Sequence, residues 1–144
     1  MIEQDTIRLL RECDSGVKMG VDAIEDVMDC ADDRALKQML VDCKKEHEKL
    51  GREIQTMLNR YQDEGKDPNP IVKGMSWLKT GTRLVLDGSD STIATLMTDG
   101  CNMGIRSLSK YLNEYEAADE QSKNAAKRLI RLEEQLAVDL RPYL

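Results

Sequence analysis

The chain has 144 residues, enough for one domain with a real core, since a chain of this size buries roughly 68 to 70% of the surface its unfolded form exposes. At 40% hydrophobic and 33% charged it belongs with globular chains and outside the disordered and membrane classes. A net charge of -6 supplies no clustered positive charge for phosphates or anionic lipid, which argues against nucleic acid and membrane as partners.

Phe is absent and aromatics make up 3%, while Leu, Ala, Met, Glu, Lys and Arg abound, so the expectation is an all-α fold. Residues 1–144 read as a single domain. The opening "MIEQDTIRLLRECD" is amphipathic and acidic where a signal peptide is basic and then apolar, and no apolar run reaches the length of a membrane span. Cys13, Cys30, Cys43 and Cys101 are scattered with no CxxC pair, which reads as free thiols in a reducing, cytoplasmic setting.

Punctuation divides the chain into five helical segments. The first carries an apolar stripe of Leu10, Cys13, Val17, Val21, Ile24 and Val27 and is expected to end near Ala31, where "CADDRAL" offers Asp32 or Asp33 as the next N-cap. The second repeats Leu36, Leu40, Cys43, His47, Leu50, Ile54, Met57 and Tyr61 at steps of four and three, a seam for packing against other helices. It runs toward "DEGKDPNPIV", where Gly65, Pro68 and Pro70 are helix stops. A third, short segment, "PIVKGMSWLKTGTRLVLDG", holds the single Trp and three glycines, a weak helix inside a long crossover. The fourth begins at Ser89 or Asp90 after Gly88 and offers Ile93, Met97, Cys101, Ile105, Leu108, Leu112 and Tyr115. The fifth, capped by Asp119, places Ala125, Leu129, Leu132, Leu136 and Leu140 on one face and closes at Pro142. Two tight helical pairs joined by a long crossover make an antiparallel four-helix bundle of ferritin-like connectivity, the crossover bearing the short fifth helix.

The stretches "LLRECDSGVKMGVDAIEDV", "GMSWLKTGTRLVLDGSDS" and "IATLMTDGCNMGIRSLSKYL" carry a resemblance over nearly the whole chain. Together they look like the uncharacterised ferritin-like family of small bacterial four-helix-bundle proteins, a domain of unknown function. The resemblance implies the fold and no activity. It also invites comparison with di-iron bundles, which use a Glu on each of two helices and Glu-x-x-His on each of the other two. That set is absent: Lys44 stands three residues before His47, and three residues after Glu133 and Glu134 come Leu136 and Ala137.

A different cluster remains. Cys43 and Cys101 each lie about ten residues into their helices, at similar depth if those helices start at the same end, and His47 is one turn deeper. Val17 and Gly20 of the first segment and the stretch from Glu133 to about Leu136 of the last fall near that layer. Cys43, His47, Cys101 and Glu133 can therefore converge at mid-height as a site for Zn or Fe, or as a reactive thiol with the one histidine as its base. The alternative is core packing, since buried Cys behaves as a small hydrophobe and a seam histidine commonly bonds a backbone or carboxylate group. Core packing is the preferred reading, with no cofactor.

Gly16 and Gly20 in the first segment and Gly100 and Gly104 in the fourth repeat at four-residue spacing, and each costs up to about 1 kcal/mol against Ala inside a helix. Close backbone approach between those two helices is the expected reason, with space for a ligand or for Trp77 the alternative. The sequence contains no nucleotide-binding or triad motif. The resulting expectation is a non-catalytic structural or protein-interaction module, with a protein partner or a second copy of itself, the metal-binding or thiol-redox role standing as the alternative.

Overall fold

The computed structural model describes residues 2–68 and 89–144, and within them all regular structure is helical. The short helix expected in the crossover, with Trp77, lies outside the described residues. Four long helices are present: α1 (Ile2–Met28), α2 (Arg34–Asn59), α3 (Asp90–Glu114) and α4 (Glu120–Leu140), followed by one 3-10 turn at Arg141–Tyr143.

Their starts follow from side-chain capping. Asp33, Ser89 and Asp119 each stand in extended backbone and accept a hydrogen bond from the amide three residues on, at Leu36, Thr92 and Ser122 respectively. Each cap satisfies one of the amides a helix start leaves without a partner. Two ends differ from expectation. α1 stops at Met28, short of Ala31, because the Asp32 and Asp33 amides are taken at 2.8 and 3.0 Å by the Asp90 carboxylate of α3. α2 stops at Asn59, well before Gly65, where Gln62 takes a positive φ of 56° and Asp63 N returns to Leu58 O.

α1 packs chiefly on α2 and α3 chiefly on α4, while α2 and α3 barely touch. The helix ends are tied at two places. The α1–α2 turn meets the start of α3 through Asp90 and meets the chain's last turn through Tyr143 Oη on Asp33, 3.2 Å. At the other end, Asp5 and Thr6 accept from the amides of Ala117 and Asp119 in the α3–α4 turn, and Arg60 donates to Gln121.

A strap of residues 61–68 then folds back on α1. Arg11 pairs with Asp63, Glu12 with Lys66 at 2.7 Å and Lys18 with Asp67 at 3.0 Å. Beneath it lies Asp14, 2% exposed, which accepts from Gln55 Nε2, from the Lys66 amide and from Lys18. Gly65, at φ 91°, is required there: a Cβ would collide with the Asp14 carboxylate.

The core comes in two parts. One is built from Leu9, Leu10, Cys13, Val17, Leu50, Ile54, Leu58, Leu108 and Leu129 with neighbouring alanines. The other gathers Ile24, Val27, Leu36, Leu40, Ile93, Met97, Cys101, Leu136 and Leu140. Along every helix the boundary falls at the same level, between Val17 and Ala23, Leu40 and Leu50, Cys101 and Leu108, and Leu129 and Leu136. The residues in that gap include Gly20, His47, Gly104 and Glu133.

Candidate functional site

His47 sits at the middle of the α2 seam and is 1% exposed. Its Nδ1 lies 2.8 Å from the carbonyl oxygen of Cys43, one turn back, and 3.5 Å from the Cys43 sulfur. A carbonyl can only accept, so Nδ1 carries a hydrogen. On the far side Nε2 lies 3.1 Å from Glu133 Oε1 of α4. One proton is shared across that contact, and with Glu133 ionised the ring is an imidazolium donating from both nitrogens. Burial works against the charge, but the hydrogen bonds with Cys43 and Glu133 and the negative charge facing the ring outweigh it, and the His47 pKa is pushed up to about 10.

Cys101 of α3 is buried against the same carboxylate. Burial first, and then the Glu133 charge and a hydrogen bond to it, push this thiol far above its usual range. Cys43 is partly buried and lies close enough to Cys101 to affect its titration. The four residues predicted to converge are thus brought together: Cys43 and Glu133 each touch His47, and Cys101 adjoins Glu133. Among the described residues, no group of three or more His, Cys, Asp and Glu is arranged to hold a metal ion. Cys13 belongs to one core cluster, where burial pushes its thiol to about 12, and Cys30 is exposed.

The described residues also line a partly open cavity of about 380 Å³ between α1 and α3, with His47 and Glu133 in its lining. Gly16 and Gly20 line its α1 side, Gly100 and Gly104 its α3 side, and the rest is largely apolar, including Met19, Ile24, Met97, Leu108, Leu129 and Leu136. This corrects the expectation of close backbone approach between these helices. A Cβ on Gly16 would meet the Leu129 side chain at 3.2 Å, and one on Gly20 would meet His47 Cδ2 at 2.8 Å and Nε2 at 3.0 Å. The α1 glycines make room for side chains from α2 and α4. Close approach occurs elsewhere, at Gly51, where a Cβ would stand 3.0 Å from Val17 Cγ1.

Sequence reasoning missed Asp14 as a buried acid and Lys66, Glu12 and Tyr111 as cavity-lining residues. Asp14 had a usable signal, an acidic residue beside Cys13 on an otherwise apolar stripe. Lys66 had none, because its position depends on the strap folding back.

Searches against family models, curated proteins and solved structures found no match to this chain.

Proposed function

We propose that this chain is a non-catalytic helical module in a structural or protein-interaction role, an antiparallel four-helix bundle with ferritin-like connectivity but without the di-iron ligand set. The connectivity is supported by the end ties: the start of α3 lies beside the start of α2, and the start of α4 beside the start of α1. One observation carries the functional reading. The one histidine is sealed inside, with both ring nitrogens engaged by the protein's own groups, and the thiol nearest its partner is held protonated. A Cys–His nucleophile needs a thiolate and a free base; Cys101 does not supply the thiolate at neutral pH, and neither nitrogen of His47 is free to act as the base.

A cytoplasmic setting goes with this reading, supported by four free cysteines. No described helix is long and apolar enough to cross a membrane. A protein partner or second copy would meet a mainly polar surface, whose exposed large apolar side chains among the described residues are Ile2, Met103, Val138 and Leu144.

A second reading has an observation in its favour. A histidine with Nδ1–H on a backbone carbonyl and Nε2 turned to a carboxylate is oriented as metal-ligating histidines are. With Cys43, Cys101 and Glu133 nearby, Zn or Fe is the ion this set would take. Elemental mass spectrometry on untagged protein, with a count of thiols reactive in the native state, separates the two. The first reading expects no stoichiometric metal and rapid reaction at Cys30 alone. Near-stoichiometric Zn or Fe that disappears in His47→Leu would replace it with the second.

A further inference from the structure

We infer that the cavity between α1 and α3 is a binding site for a small uncharged molecule with an apolar body and one hydroxyl donor, an alcohol of medium chain length. Its volume, about 380 Å³, falls within the roughly 300 to 1,000 Å³ of ligand sites, and the lining has their character, mostly apolar with a few converging polar groups.

Gly104 supports the assignment independently. A Cβ there would make only ordinary contacts, the nearest being Glu133 Cδ at 3.7 Å. Packing therefore does not require glycine at this mid-helix position, where Ala would favour the helix. What glycine does preserve is open space against Glu133.

The charges in the lining decide the ligand's chemistry. His47 is paired with Glu133 at 3.1 Å and Lys66 with Glu12 at 2.7 Å, so among the described residues each charge in the lining already has its opposite. An ionic guest would be buried without a free counter-charge, which is strongly unfavourable, whereas a neutral one meets no such penalty. Of the Glu133 carboxylate, Oε1 faces His47 and Oε2 lies on the Gly104 side, 3.8 Å from the position of that absent Cβ. A carboxylate oxygen accepts more than one hydrogen bond, so the guest's polar end is a donor. The thioethers of Met19, Met97 and Met103 line the site with side chains that adapt to an irregular apolar body.

The inference goes beyond the non-catalytic role and rests on that metal-free reading, because His47, Cys101 and Glu133 of the alternative metal set also line the cavity. Its test is titration of 13C-methyl-methionine protein with 1-octanol, sodium octanoate and octylammonium chloride, followed by NMR. Saturable shifts of the Met19, Met97 and Met103 methyls with 1-octanol are expected, with Met39 and Met57 unmoved. The two ionic homologues should bind more weakly by at least about tenfold. Gly104→Leu, which puts bulk into the cavity, should abolish the shifts. Should that variant fail to fold, Met103→Trp, at a partly exposed lining position, should weaken them. Absence of a saturable shift in the parent protein, equal binding of an ionic homologue, or unaltered binding by a folded filling variant would each overturn the inference.

Discussion

Gly20 of α1 stands against Cδ2 and Nε2 of the His47 imidazole of α2, with no room between them for a methyl group. The absent side chain is what lets a buried ring reach across the interior to Glu133 of α4. Gly104 of α3 faces the same carboxylate from another side but leaves ordinary contact distance.

The two glycines should therefore respond oppositely to the same change. Gly20→Ala forces the ring to shift and is expected to lower stability by about 1 to 3 kcal/mol, overriding its gain in helix propensity. Gly104→Ala should raise stability by up to about 1 kcal/mol. Denaturant unfolding of both variants measures the contrast, and two changes of the same sign would contradict the geometry.

The His47–Glu133 pair should be costly to break and cheap to replace. His47→Leu leaves the Glu133 side chain, 12% exposed, without its partner and should cost about 3 to 5 kcal/mol. Adding Glu133→Leu removes the stranded charge and should recover most of that loss. A double-mutant cycle reads the coupling directly.

Stability should fall on the alkaline side of neutrality. The folded His47 pKa, about 10, lies above the ordinary value of 6.5, so the folded state binds the proton more tightly than the unfolded one. The contribution is complete below about pH 6.5 and is lost as pH rises to about 10. Urea midpoints from pH 6 to 10 should decline in the parent protein, and the decline should be much shallower in the His47→Leu/Glu133→Leu double variant.

The strap is a separate element. Gly65→Ala meets both the positive φ and the Asp14 carboxylate, and Asp14→Ala removes the acceptor for Gln55, Lys18 and the Lys66 amide. Each should cost about 2 to 3 kcal/mol. Faster amide hydrogen exchange at Lys66 in Asp14→Ala would show the strap released; unchanged exchange would place its anchoring elsewhere.

How far the sequence reaches can be judged residue by residue. Asp33, Ser89 and Asp119 were legible as caps because capping is local chemistry. The meeting of Cys43, His47, Cys101 and Glu133 at one level was legible because helical rise is constant and the helix starts could be counted from. The end of α2 was not, because Gln62 adopts the left-handed conformation usually marked by glycine. The role of the glycines was misjudged for a related reason: spacing shows that small residues share a face, but which neighbour fills the space depends on a side chain from another helix. Leu58, fully buried although the seam was read through Met57 and Tyr61, shows how a continuous period drifts near a helix end.

The Asp90 carboxylate, bridging the amides of Asp32 and Asp33, has a consequence for axial register. Apolar seams tolerate sliding, because one leucine replaces another after each turn of about 5.4 Å. Here a slip of α4 by one turn would put Leu129 or Ala137 opposite His47 and bury an imidazolium against hydrocarbon. Asp90 fixes the height of α3 against the α1–α2 turn and Glu133 fixes that of α4 against α2, so a one-turn slip of either helix loses its own polar contact.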